Sequence, residues 1–439
     1  MKSGLTLLAI LSTVCAAAGA QVAPATTAPS GLPLSGTLSY DLRYTQMAQF
    51  YTGTLGNSLS SAVSGDLTYG SLSQTRPFQL TYGGGDLWDL YGTSGEAGVF
   101  QHLLATQGFI GHKWALNFSN DVSYYQMAPI TGFSGIPGVG SLPSQPGLPS
   151  QPVLTISTRT VGETVTSDYT QNFRSGISLD LNGYYSILRY PDGNGLDDNS
   201  WEAGPRVTKR LNAENSIFAL YSISRFSYPD NSVSLNTQSV QFGLTRIWNQ
   251  RFTTSVSAGP EWTTMPGSVV PVLNSTVTPP VTTNIALPSS SWLGASVNAS
   301  AAYTTRTTTF TLSYIQATSA GGGVLDAIGY QNEDIGGGVT WKHGRNLTLS
   351  GTGGYMRSTA LISGIELQLG LVQPGSSIDA EFGAATATRQ LGRYLNLSAN
   401  YTIVDQSYGS TLPGNAINGL SQMISCSIGY SPKKKHFER

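Results

Sequence analysis

Side chains able to do chemistry are few and scattered in this chain. It has four histidines, His102, His112, His343 and His436. None shares a metal-ligand spacing with another histidine, a cysteine or a carboxylate, so no metal site is expected. His112 and His343 fall in short polar stretches and read as solvated turn residues. His102 has Asp89 and Glu96 upstream, yet no serine in a strained nucleophile turn accompanies them, and triad hydrolysis is not expected. Gly83-Gly84-Gly85, Gly321-Gly322-Gly323 and Gly336-Gly337-Gly338 are not phosphate loops, because neither a Lys-Ser/Thr pair nor a helix follows. They read as loop glycines or as strand glycines near a rim. Asn-x-Ser/Thr triplets at Asn346, Asn396 and Asn400 lie in alternating stretches, which explains them without glycosylation. The expectation is a protein that is not an enzyme and takes no cofactor.

One charged set does recur with a pattern. Asp41, Arg43, Asp180, Glu202, Arg206, Arg210, Glu261, Asp334, Lys342, Asp379 and Glu381 all sit on the polar parity of alternating stretches. If the other parity meets lipid, these residues line an aqueous lumen. There they brace the wall as ion pairs or set a weak ionic selectivity. Placed toward lipid at mid-depth, an Arg or Lys would cost about 2–4 kcal/mol.

The elements that must position such a set are strands. In the 439 residues, charged side chains make up only 11% and hydrophobic ones 39%, with 51 Gly and 22 Tyr. Ordinary globular chains are about 25% charged. A net charge of -1 with no basic patch excludes a nucleic-acid binder, and no long charged tail is present. Helical periodicity is scarce, and no apolar run after residue 20 reaches the roughly 20 residues of a spanning helix. Strict alternation recurs instead. Leu38, Tyr40, Leu42 and Tyr44 alternate with Ser39, Asp41 and Arg43. Leu395, Leu397, Ala399, Tyr401 and Ile403 alternate with Asn396, Ser398, Asn400 and Thr402. Ile424, Cys426, Ile428 and Tyr430 alternate with Ser425, Ser427 and Gly429.

The connections alternate too. Short turns are expected at Ser73–Arg76, Gly111–Lys113, Asn172–Gly176, Leu211–Asn215, Trp248–Arg251, Thr304–Thr307, Lys342–Asn346 and Gln390–Arg393. Long Gly-, Pro-, Ser- and Asn-rich connections separate them, among them Met127–Arg159, Met265–Pro288, Ala317–Asn332, Thr359–Ser377 and Ser407–Gly419. Eight short and nine long connections imply about 18 strands, within about 16–20, with both termini on the short-turn rim. The fold expected is all-β, a transmembrane up-and-down antiparallel β-barrel with short periplasmic turns and long extracellular loops. Pro-rich Met127–Pro152 cannot be a central strand; it is a surface loop or an inward constriction.

Residues 1–20 read as a secretory signal: Met1-Lys2, the apolar run Leu5–Ala18, and Ala18-Gly19-Ala20 as a cleavage site. The remaining divisions are a short N-terminal segment over 21–36, the barrel over 37–430 and a basic tail over 431–439. After cleavage only Cys426 would remain, leaving no intramolecular disulfide. Phe78, Trp114, Trp248, Phe252, Trp341 and Tyr430 fall on the apolar parity beside short turns, and Trp201 and Trp262 at the opposite strand ends. That distribution is an interfacial aromatic girdle.

In leader, hairpin cadence and girdle, the mature chain resembles the bacterial outer-membrane β-barrel proteins, porin-like in the broad sense. It departs from many of them by ending not on a strand but on the tail Ser431–Arg439. The resemblance implies residence in the outer membrane of a Gram-negative cell, with membrane lipid and the barrel-assembly machinery as partners. It implies a passive diffusion channel for small solutes. Two other readings stand beside it: the barrel of an envelope export or assembly system for polysaccharide or protein, with its partners, and a surface scaffold with a closed lumen. A soluble β-sandwich or solenoid accounts for neither the girdle nor the cadence.

Overall fold

The computed structural model describes residues 34–431 apart from 47–48, 51–52, 55–56, 72, 92–97, 127–158, 174–175, 193–196, 230–232, 275–280, 288, 320–328, 345, 362–376 and 409–417. The expected signal over 1–20, the Pro-rich segment Met127–Pro152 and the tail beyond Ser431 lie outside the described residues. The strands are β1 (Leu34–Gln46), β2 (Gln49–Phe50), β3 (Gly53–Thr54), β4 (Asn57–Gly70), β5 (Phe78–Tyr91), β6 (Gly98–Ile110), β7 (Trp114–Tyr125), β8 (Thr160–Asn172), β9 (Ile177–Arg189), β10 (Asp198–Arg210) and β11 (Asn215–Tyr228). They continue as β12 (Val233–Asn249), β13 (Phe252–Met265), β14 (Ser268–Asn274), β15 (Val281–Leu287), β16 (Ser290–Thr304), β17 (Thr308–Ser319), β18 (Tyr330–His343), β19 (Leu347–Ala360), β20 (Ser377–Leu391), β21 (Leu395–Tyr408) and β22 (Gly419–Tyr430).

Eighteen of these form one antiparallel sheet in which each strand pairs with its neighbours in sequence, and β1 pairs with both β4 and β22. The sheet therefore closes on itself with no free edge. The two small hairpins, β2–β3 and β14–β15, stand outside it. They lie within long connections and were not anticipated from the sequence. The wall begins at Leu34, three residues before the expected boundary, and ends at Tyr430.

The eight short connections fall where the sequence places them, and several carry their own turn chemistry. Asn249 Oδ1 accepts from the backbone N–H groups of Arg251 and Phe252 at 2.8 and 2.9 Å. Asn212 Oδ1 does the same for Glu214 and Asn215 at 2.9 and 2.7 Å. Thr305 Oγ1 receives the N–H of Thr308 at 2.9 Å. These side chains hold the turn backbone where no ladder bond can reach it. Between β20 and β21 the reversal uses Gly392 at φ +67°, a left-handed conformation that disfavours side chains with a Cβ.

The exterior separates by depth. Phe242 and Leu312 are 67% and 55% exposed, and Val256, Ile335 and Tyr221 join them on the outward parity. Aromatic pairs cluster on the short-turn rim: Tyr69 with Phe78, Trp248 with Phe252 and Tyr303 with Phe310, each 6.4 Å between ring centres, and Tyr394 with Tyr430 at 6.2 Å. Arg246 stacks over Trp248 at 4.0 Å. On β13 both Phe252 and Trp262 face outward, ten residues apart. At about 3.3 Å per residue and a tilt of about 40°, that separation is about 25 Å, the height of a barrel's lipid-facing band. The wall is membrane-spanning by this measure.

Placing charge in that band should fail on one parity only. Leu312→Arg is expected to cost about 2–4 kcal/mol of insertion free energy. Thr311→Arg, on the inner face of the same strand, should leave most of the protein folded. The fraction of heat-modifiable protein in isolated membranes, read on unheated gels, checks this; equal damage at both positions would exchange the two faces.

Candidate functional site in the barrel lumen

Closure gives the barrel one inner surface, and alternation decides which side chains reach it. Register identifies the face strand by strand. Asp41 and Arg43 lie opposite Ser427 and Ser425 on β22, Asp180 opposite Arg206, Glu202 opposite Tyr184, and Glu261 opposite Ser239. Asp334 and Lys342 share the face of buried Asn332, and Arg210 the face of Arg206. These nine residues of the eleven are on the inner parity. Asp66, Asp121, Asp168 and Asp198 are there as well, so the inner face is richer in carboxylates than the sequence reading held.

Asp379 and Glu381 are not on that face. Glu381 pairs with Asp405 and Tyr355, and Asp379 with Ser407 and Arg357, on the parity that carries exposed Tyr401. Arg357 Nε lies 3.7 Å from Asp379 Oδ1, and Ser377 Oγ donates to Asp379 Oδ2 at 3.2 Å. The inner positions of β20 are instead Ile378, Ala380 and Phe382, facing Ser358, Met356 and Gly354 on β19. The reason is height. Counted from the short-turn end, Glu381 is the eleventh residue of β20 and Asp379 the thirteenth, level with or above Trp262. Above the lipid band an outward carboxylate meets water, so alternation no longer reserves the inner parity of β20 for charge.

In the outer half, inner positions are closed to solvent, both apolar ones such as Met356, Phe226, Leu235, Val404 and Met423 and polar ones such as Arg43, Ser58, Asp198 and Gln406. Toward the short turns the inner face is hollow and wet. One cavity of about 330 Å³ is bordered by Thr37, Asp66, Arg393 and Asn396, and another of about 300 Å³ by Gln79, Gln107, Asn117 and Asp168. Tyr190, just beyond β9 on the outer side, is buried; that burial, then Asp198 and Asp197, raises its phenol above the ordinary range.

Two inner networks are built from residues with no motif. Ser257 Oγ donates to Gln241 Oε1 at 2.8 Å, and Gln241 Nε2 donates to Ser296 Oγ at 2.8 Å. Glu261 Oε1 accepts the backbone N–H of Thr318 at 2.9 Å and also its hydroxyl. The four strands β12, β13, β16 and β17 are thereby tied on the inside. Elsewhere His102 lies across from Gly83, whose missing Cβ leaves room for it: an added Cβ would stand 2.5 Å from Asp66 Oδ1 and 3.0 Å from His102 Nδ1. The acids near His102 are Asp66 and Asp121, rather than the upstream Asp89 that sequence proximity suggested. Glu96 lies outside the described residues. Among the described residues no group of three or more His, Cys, Asp or Glu could hold a metal ion.

No protein-family model matches the chain, and no curated protein matches it by sequence. Among solved structures the chain is similar to OccK2 (OpdF) of Pseudomonas aeruginosa in complex with glucuronate, at 12% identity and a TM-score of 0.48, over 92% of this chain and 100% of that one. It is similar to the FrpB iron transporter of Neisseria meningitidis at 10% identity and a TM-score of 0.46, over 88% of this chain. It spans 64% of that transporter's length, less than two thirds. The ferric yersiniabactin uptake receptor FyuA of Yersinia pestis gives 9% identity and a TM-score of 0.45, over 93% of this chain and 81% of that one.

Gln241→Leu should strand the hydroxyl of Ser257 and the acceptor of Ser296, at a cost of about 1–3 kcal/mol. The expected outcome is a lower temperature for the heat-induced gel shift in this variant than in wild type, with Gln238→Leu, on the outer parity of the same strand, showing a smaller change.

Proposed function

We propose that the protein is an outer-membrane channel through which small solutes diffuse passively. One observation carries this reading: a closed eighteen-strand wall that is apolar outside and polar inside. Barrels of 16–18 strands enclose an aqueous path unless something fills it. Long connections on the outside of the cell and short ones in the periplasm complete the arrangement. Ligands as different as glucuronate and iron complexes appear in the names of the similar structures, so they supply no solute for this chain.

The closed outer half of the inner wall favours a second reading, a barrel shut on its outer side whose passage depends on a partner, as in envelope export. Planar-bilayer recording separates the two. Stepwise conductance from purified, heat-modifiable protein supports the channel; a silent bilayer supports the shut barrel or scaffold.

The inner carboxylates outnumber Arg43, Arg206, Arg210 and Lys342, so a modest preference for cations is expected under a salt gradient. Asp180→Asn with Asp334→Asn should move the reversal potential toward anions. Asp379→Asn with Glu381→Gln should leave it unchanged, since those groups face outward. A shift from the second pair as large as from the first would place Asp379 and Glu381 on the solute path.

A further inference from the structure

The inner face of β5 to β8 carries a recess of about 300 Å³ near the short-turn rim, bordered by Gln79, Thr106, Asn117, Ser119, Thr166 and Asp168. Strand register brings these side chains together. Gln79, Thr106, Ser119 and Thr166 lie opposite one another in turn across the four strands. Asn117 and Asp168 stand opposite each other one inward position nearer the rim, with Gly108 on the other side of Asn117. Phe118, between the two rows on β7, faces outward, so both rows face the lumen. Gly108 keeps the recess open: a Cβ there would stand 2.7 Å from Pro77 Cγ and 3.0 Å from Asn117 Oδ1. The Asn117 amide and the Pro77 ring thus flank one gap that any larger residue would fill.

The lining narrows the chemistry of a ligand. Of the residues bordering the recess none is Lys, Arg or His, and Asp168 is the one carboxylate. An anion would meet only a like charge. Around that acid stand amides and hydroxyls, each able both to donate and to accept. An ammonium has donors and no acceptor, so it would leave the amide N–H groups of Asn117 and Gln79 unanswered. The pairing of the two rows differs as well. Ser119 and Thr166 bridge each other, their hydroxyl oxygens 2.6 Å apart. Asn117 and Asp168 face each other across the same two strands, yet neither side chain makes a hydrogen bond among the described residues. An amide donor and a carboxylate acceptor are left side by side for a third group.

We propose that this recess is a subsite for a neutral polyhydroxylated solute the size of one monosaccharide. Neighbouring hydroxyls of the sugar donate to Asp168 and accept from the Asn117 amide, since a hydroxyl does both. The C–H face of the ring lies against Pro77, and Gln79 and Thr106 meet its far edge. The volume is at the small end of small-molecule sites. The inference rests on the channel reading and names its solute class, while binding itself needs only the folded barrel.

Saturation-transfer NMR of the purified full chain, in a detergent without a sugar headgroup, tests it with glucose, glucuronate and glucosamine as probes. Wild type should bind glucose, and bind glucuronate more weakly because Asp168 repels it. Asn117→Ala should weaken glucose binding about fivefold, the loss of one neutral hydrogen bond. Thr311→Ala, on the inner face of β17, should leave it unchanged. Asp168→Asn should narrow the gap between glucuronate and glucose. Gly108→Val, which fills the gap beside Pro77, should abolish binding; heat-modifiable migration shows whether it folds, and Asn117→Ala carries the test if it does not. No transfer to glucose from folded wild type, or unaltered affinity in Asn117→Ala, would overturn the assignment. Glucosamine binding tenfold tighter than glucose would overturn it too, by making the recess an ammonium site. Liposome swelling is read separately: binding without swelling keeps the site and removes the channel reading, and swelling without binding does the reverse.

Discussion

A backbone amide in hydrocarbon has no water to bond with, and each one left unpaired costs several kcal/mol. This constraint shapes the rest of the molecule. A sheet can satisfy it only by closing, since any edge would leave a row of unpaired groups. The pairing of β1 with both β4 and β22 is that closure. Once it exists, the wall has an inside and an outside, and alternation of side chains becomes a division between lipid and lumen.

Closure also explains where sequence rules stop. Within the lipid band the solvent outside is apolar, so Val256, Leu312 and Phe242 face out and serines and threonines face in. The outer ends of the strands rise past that band. There Glu381, Asp405 and Arg357 face out, and Ile378, Ala380, Met356 and Val404 face in. On these strands the chain keeps its alternation while the charge moves to the outward parity. The inner surface near the long connections is closed to solvent, with apolar and polar side chains both buried there, and that bears directly on whether solutes pass unaided.

Charges on the inner wall are arranged by register rather than by sequence neighbourhood. His102 meets acids from β4 and β7, thirty-six residues upstream and nineteen downstream, because Gly83 between them has no side chain. Gln241 of β12 meets Ser257 of β13 and Ser296 of β16 in the same way. Neither grouping leaves a motif, since a flat sheet brings together residues whose spacing is set by loop lengths, and those lengths carry no chemical pattern.

The sequence by itself determined the strand count, the cadence of turns and the lipid-facing parity in the lower wall. These are local properties: period-two alternation, Asn and Gly turn chemistry, and tryptophans at strand ends all act within a dozen residues. It also separated nine of the eleven proposed lumen positions by parity, and failed at Asp379 and Glu381 because height above the membrane is not written in alternation. Only the tertiary structure decided the register between strands, the outward turn of Asp379 and Glu381, the tie through Gln241, and the placing of Tyr184 opposite Glu202. Each depends on which strand stands beside which and how far each has risen, and closure of the barrel fixes both at once.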